Sequence, residues 1–202
     1  FSNLQLNYIK NKNIDKIENS AKIINEATSR IYFLTQTLLD WSLTQSNDFK
    51  INKENISIKT LISETIDICN PIATTKEIDI ILLSNENIHF FCDKIITQIA
   101  IRNILLNAIK FSHRNSEIEI DYKVQNQKEL LITIKDYGIG MTKSEIDSIL
   151  DEYTLLNKDG TESEFGTGIG IRISLDLIKK QNGDIIINST ANKGSTFIIK
   201  LL

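Results

Sequence analysis

The sequence of 202 residues predicts an α+β protein, a two-layer α/β sandwich preceded by a partial helical hairpin. Two observations carry this. Over residues 14–46 apolar side chains recur every three or four positions, at Ile17, Ala21, Ile24, Ala27, Ile31, Leu34, Leu38 and Trp41, the period of a long amphipathic helix. From residue 48 onward, strand-like runs are interleaved with a few helical patterns and joined mostly by short polar turns, which suits an antiparallel-leaning sheet with helices against it. The expected domains are 1–47, helical, and 48–202, the sandwich.

Residues 1–10, apolar at Phe1, Leu4, Leu6, Tyr8 and Ile9, read as the last turns of a helix that Asn11-Lys12-Asn13 breaks. Because Phe1 opens inside that helix, the chain is expected to be a piece of a longer protein. Adding Phe33 and Leu39 makes the apolar face of the 14–46 helix wider than a two-stranded seam, so a four-helix bundle completed by a second copy is expected. Phe49-Lys50-Ile51 and Ile56-Ser57-Ile58 are short strand candidates flanking a polar Asn52-Lys53-Glu54-Asn55. Leu61, Ile62, Thr65, Ile66, Ile68, Cys69 and Ile72 then mark an amphipathic helix, which the only proline, Pro71, is expected to kink or shorten.

Residues 77–83 and 88–92 read as strands, and Asp93 as the N-cap of the helix that follows. Strands are expected again at 117–124 and 130–135, around an Asn126-Gln127-Lys128 turn. After a short helix at 143–150 the periodicity fades up to Phe165, which suits a mobile lid. A helix over 169–181 stops at Asn182-Gly183, and 184–189 with 195–201 close the sheet as a hairpin.

The helix after Asp93 contains Arg102-Asn103-Ile104-Leu105-Leu106-Asn107-Ala108-Ile109-Lys110-Phe111-Ser112. Asn103 and Asn107 are four apart and share one face, while Ile101, Leu105, Ala108 and Ile109 form an apolar stripe on another. Asn is a mediocre helix former, so the stacked pair calls for a reason. Either both amides bridge neighbouring backbone, or two amide oxygens, with Lys110 a turn on, face a magnesium ion bound to phosphates. Two glycine clusters lie downstream. Asp136-Tyr137-Gly138-Ile139-Gly140 ends a strand, placing a carboxylate that can accept a hydrogen bond from a base amino group where the backbone closes in. Gly166-Thr167-Gly168-Ile169-Gly170-Ile171 opens a helix, where N–H groups and the helix dipole favour phosphate. Either cluster alone could be a tight turn, and no βαβ unit surrounds the second, so a dinucleotide site of the Rossmann kind is not expected.

In this order, the motifs resemble the ATP-binding core shared by sensor histidine kinases, the Hsp90 chaperone, DNA gyrase and MutL, known as the Bergerat or GHKL fold. Asn103 to Ser112 resembles its N box, Asp136 to Gly140 its G1 box and Gly166 to Ile171 its G2 box, while Lys193-Gly194-Ser195-Thr196-Phe197 is similar to the last box. The wording Asn-Ala-x-Lys-Phe-Ser favours histidine kinases within that group. The resemblance implies ATP and Mg2+ as cofactors. Asn107, helped by Asn103, would hold the metal and Lys110 would sit on phosphate oxygens. Asp136 would read the adenine amino group, with Gly138 and Gly140 making room and Thr196 nearby. Gly166, Thr167, Gly168 and Gly170 would wrap the phosphates.

The helical region resembles the dimerisation and phosphotransfer hairpin of histidine kinases, Leu38-Leu39-Asp40-Trp41-Ser42 matching the end of its second helix. The departure is the H box. The two histidines, His89 and His113, fall in a strand pattern and a polar loop, so the acceptor histidine and its neighbouring acid are expected outside the chain. The resemblance implies a homodimer through the helical region, a response-regulator receiver domain as partner, and a cytoplasmic location, with any membrane anchor in other segments. Two alternatives are a stand-alone anti-sigma-type serine kinase, against which the long helix speaks, and a non-catalytic nucleotide-binding docking module. Hydrophobic content of 41%, charged content of 24% and a net charge of −3, with no basic stripe, give no reason to expect nucleic acid. Cys69 and Cys92 read as small buried residues rather than a disulfide or metal site. No run of about 18 apolar residues occurs.

Overall fold

The computed structural model describes residues 14–45, 50–126, 128–151, 160–162 and 168–202. The chain divides into two compact units, 1–40 and 41–202. The expected helical ending over 1–10 and most of the expected lid lie outside the described residues, as do 46–49, where the expected domain boundary falls.

In the first unit, helix α1 (Ile14–Gln45) is continuous for 32 residues and runs past the boundary between the units. Its threonines Thr28 and Thr35 bond back to the carbonyls of Ile24 and Ile31 four residues earlier. On the expected apolar face, Ile31 is 65% and Leu38 62% exposed, and the neighbouring Leu39 is 60% exposed.

In the second unit, β1 (Lys53–Ser57) pairs antiparallel with β3 (His89–Asp93) in a two-stranded sheet. The candidate Ile56-Ser57 is thus the end of a strand that begins earlier, at Lys53 among the polar residues, while Lys50 and Ile51 are not strand. Ser57 ends the strand by capping helix α2 (Ile58–Thr75), its hydroxyl accepting from Thr60 N. Helix α2 also runs through Pro71 for four residues, that proline lying on the exposed side; beyond it the hydroxyls of Thr74 and Thr75 donate to the carbonyls of Asn70 and Ile72.

The main sheet has five strands in the order β2 (Asp79–Leu82), β4 (Glu117–Gln125), β5 (Glu129–Asp136), β7 (Ser195–Leu201), β6 (Asp184–Ser189). Only β2 and β4 are parallel, because helix α3 (Lys94–Phe111) makes the crossover between them. Alternation fixes the faces: Ile118, Ile120 and Tyr122 of β4, Leu130, Ile132 and Ile134 of β5, and Phe197, Ile199 and Leu201 of β7 are buried and form one core with α2, α3 and helix α5 (Gly170–Lys180). Helix α4 (Lys143–Leu150) begins with a capping box between Thr142 and Glu145.

Helix α3 lies between α2 and α5, which explains why it is apolar on most of its circumference. Its ends are tied by polar side chains. At the start, Asp93 caps Ile96 N at 3.0 Å and accepts from Asn52 N at 2.8 Å, while buried Gln181 accepts from Asp93 N at 3.1 Å and donates to Thr97 Oγ1 at 3.2 Å. At the end, buried Lys76 donates to the carbonyls of Ile109 and Lys110 at 3.0 and 2.9 Å, where a cation meets the negative end of the helix dipole. Cys69 and Cys92 are buried, unbridged core residues, and burial pushes the Cys69 thiol up to about 11. Among the described residues no helix is long and apolar enough to cross a membrane.

Candidate nucleotide-binding site

Three chain segments meet beside the C-terminal half of α3. The loop after β5 packs against the end of that helix: Ile139 N donates to Phe111 O at 3.1 Å, and a side chain at Gly138 would lie 2.0 Å from the same oxygen. That glycine therefore makes room for helix backbone. Gly140, at φ +58°, does the same for the carbonyl of Thr190, and Gly194, at φ +89°, for that of Asp136.

Asp136 ends β5 on the helix-facing side of the sheet, 3% exposed. Its Oδ1 accepts from Gly138 N at 2.9 Å and Ser195 N at 3.1 Å. Burial raises its pKa above the ordinary aspartate value, with these N–H groups and the Ser195 hydroxyl pulling the other way. Neither N–H bond takes Oδ2. Strand alternation puts buried Ser195 and Phe197 on the core side and pairs Thr196 with Lys135 across the ladder, so it is Ser195, next to Thr196, whose N–H reaches Asp136. The apolar positions 197, 199 and 201 already carried that signal.

The two asparagines of α3 behave differently. Asn103 is buried, and its Nδ2 donates to Gly170 O at 3.2 Å and Ser174 Oγ at 3.3 Å. It ties the first turn of α5 to α3, as the bridging reading of the pair expects, and Oδ1 is not used in those bonds. Asn107, one turn on and half-buried, makes no side-chain hydrogen bond to any described residue. Lys110 stacks its ammonium 4.7 Å from the Phe111 ring centroid.

Gly170 is the first residue of α5, and the residue before it, Ile169, supplies no side-chain cap to the first N–H groups of the helix. Gly168 adopts φ +68°. Gly166 and Thr167 lie outside the described residues. Gly160, Thr161 and Glu162 are described: Thr161 donates from N to Lys110 O at 3.2 Å and from Oγ1 to Ser112 O at 2.7 Å, and Arg114 holds Glu162 with two nitrogens and Glu77 with a third. Lys76 and Thr161 had no motif of their own; each acts through backbone that only the fold brings near.

The donor set fits a hydrated magnesium–nucleotide complex. Neutral amide oxygens suit an ion that keeps water and phosphate oxygens in its shell, and among the described residues no group of three His, Cys, Asp or Glu side chains forms a separate metal cage. His89 and His113 are both exposed, the first at the start of β3 and the second in the loop after α3.

Residues 92–202 match the family described as histidine kinase-, DNA gyrase B- and HSP90-like ATPase. The sensor histidine kinase WalK of Bacillus subtilis is 30% identical over 184 residues, covering 89% of this chain and 30% of that protein. The sensor protein kinase WalK of Staphylococcus aureus is 32% identical, covering 89% of this chain and 29% of that protein. The chain thus spans about a third of the length of these relatives. Among solved structures, the Acinetobacter baumannii histidine kinase AdeS shares the fold at a TM-score of 0.70 and 19% identity, covering 98% of this chain and 90% of that one. ShkA, solved full-length in complex with AMPPNP, does so at 0.71 and 16%, covering 92% and 38%.

Proposed function

Since the chain belongs to the histidine kinase-, DNA gyrase B- and HSP90-like ATPases, we propose that it is the catalytic core of an ATP-dependent protein histidine kinase of a two-component system. The observation that carries this is the convergence of Asp136, Asn107 and the glycine start of α5 around one half of α3, with direct bonds joining the three segments. In this reading Asp136 Oδ2 accepts from the adenine amino group, while Oδ1 stays with Gly138 and Ser195. The N–H groups at the start of α5, with Gly166, Thr167, Gly168 and Gly170, cradle the phosphates, and Lys110 lies over their oxygens. Asn107 and the free oxygen of Asn103 hold Mg2+, which when bound neutralises phosphate charge. The γ-phosphorus–oxygen bond to ADP breaks as a bond to an imidazole nitrogen of the acceptor histidine forms. That histidine and the base that takes its proton belong to segments outside this chain, so no catalytic residue is assigned here.

The exposed Ile31, Leu38 and Leu39 on α1 support a homodimer through the helical region, since burying one such side chain stabilises by about 1.5–3 kcal/mol. The phosphohistidine would pass its group to a receiver aspartate of a response regulator, on the cytoplasmic side of any membrane anchor. The test combines calorimetric titration of the chain with MgATP and incubation with a separate helical hairpin bearing an H-box histidine. Binding followed by acid-labile phosphate on the hairpin, with His89 and His113 unmodified, is the expected result. Phosphoserine instead would favour the anti-sigma type, and absence of binding would leave only a docking module.

A further inference from the structure

The hydroxyl of Ser189, the last residue of β6, sits where three segments meet. It accepts from Met141 N at 2.8 Å, and its proton lies between Gly194 O at 2.8 Å and Ser195 Oγ at 3.1 Å. Met141 ends the loop that begins at Asp136. Gly194 and Ser195 lead into β7, and Ser195 N is one of the two donors that hold Asp136 Oδ1. The hairpin between β6 and β7 is joined to the same loop at a second point, Asn192 N donating to Ile139 O at 2.6 Å. Met141 N and Ser195 therefore approach one oxygen from opposite ends of the Asp136 loop.

We propose that Ser189 is a positioning residue for base recognition: through Met141, Gly194 and Ser195 it fixes the loop so that the second carboxylate oxygen of Asp136 is presented to the purine amino group. This rests on the reading of Asp136 as the adenine acceptor. Ser189 itself contacts no nucleotide. A hydroxyl suits the place because it alone among small side chains accepts and donates at once; alanine leaves Met141 N and Gly194 O without their shared partner.

The test compares MgATP with magnesium purine riboside triphosphate, which is ATP lacking the 6-amino group, by calorimetric titration of the full chain. Wild type should prefer ATP by about tenfold or more, the worth of a charge-assisted hydrogen bond. Ser189→Ala should shrink that preference by about three- to tenfold, while Ser189→Thr, which keeps the hydroxyl, restores most of it. A ratio of affinities is independent of the fraction folded, so partial unfolding of the alanine variant does not imitate the effect. If wild type discriminates and Ser189→Ala discriminates equally well, Ser189 is structural only and the proposal is overturned. If wild type itself shows no preference, the reading of Asp136 falls, and the role of Ser189 with it.

Discussion

At the end of β5 the carboxylate of Asp136 is buried and held by two backbone N–H groups, whereas Asn107, on helix α3, meets no described side-chain partner. The contrast extends to their surroundings. Around Asp136, glycines at 138, 140 and 194 let three backbone segments touch with no space for a Cβ. Around Asn107, the helix start at Gly170 carries no side-chain cap. On the proposed function the base end is rigid before the nucleotide arrives, and the phosphate end offers groups whose partners arrive with it. Preorganisation of the first kind favours selectivity. Open groups of the second kind cost less here, because Asn107 is only half-buried, and a partly exposed amide pays less for lacking a protein partner than a buried one.

The strongest way to break the comparison is at a glycine. Gly138→Ala would set a methyl 2.0 Å from Phe111 O and 2.9 Å from Ser112 Cα, both backbone, so neither can rotate away. A loss of about 3 kcal/mol or more in unfolding free energy is expected, together with loss of ATP binding. Urea denaturation measures it; a variant as stable as the parent would show that the loop after β5 is not rigid. Next in size is Asp136→Asn. The amide still accepts from Gly138 N and Ser195 N, but it turns a donor toward the base amino group. ATP affinity should fall by about 10- to 100-fold, while competition by inorganic triphosphate is unchanged. Equal loss for both ligands would place Asp136 elsewhere than at the base.

How far the sequence showed this contrast follows from what each end depends on. Asp136, Asn103, Asn107 and Gly170 were visible because local period and glycine spacing put them on a strand end, one helix face and a helix start. Asp93 was visible as a cap for the same local reason, and the geometry bears it out. The contact that ties Asp136 to β7 was not. Ser195 reaches Asp136, and Ser189 reaches Ser195, through pairing of β5, β6 and β7, which no local pattern reports, and Thr196 drew attention through the resemblance to the last box. Of the strand at Lys53–Ser57 only Ile56 and Ser57 were visible in the same way. Its polar residues 53–55 join the strand through pairing with β3, and Ser57 caps α2.

The two asparagines give a finer test of the same difference. Asn103→Ala removes two donors from buried groups, Gly170 O and Ser174 Oγ, and should cost about 1–2 kcal/mol of stability. Asn107→Ala removes no described bond and should change stability by about 0.5 kcal/mol or less, yet it should raise the magnesium concentration needed for ATP binding. Thermal melts and magnesium titrations of both variants separate the roles. Equal destabilisation would mean that Asn107 is a structural residue, and an unchanged magnesium requirement would remove it from the ligand set.

The smallest expected effect is one of pH, and it acts in opposite directions on folding and on binding. Burial raises the Asp136 pKa in the folded chain above its unfolded value. A group so raised adds stability that is fully present below the unfolded pKa and is lost as pH rises through the folded one. The free protein should therefore lose this increment on going from acid toward neutral pH. ATP binding should gain over the same interval, because only the ionised carboxylate gives Oδ2 as a pure acceptor to the base amino group. Asp136→Asn abolishes both slopes, since its amide does not titrate. Measuring unfolding free energy and ATP affinity across the acid range for both proteins, and subtracting, cancels titration of the nucleotide and of other carboxylates. Opposite slopes in the two differences are expected; slopes of the same sign would mean that the nucleotide does not need Asp136 ionised, and that the base end is not the rigid acceptor its hydrogen bonds suggest.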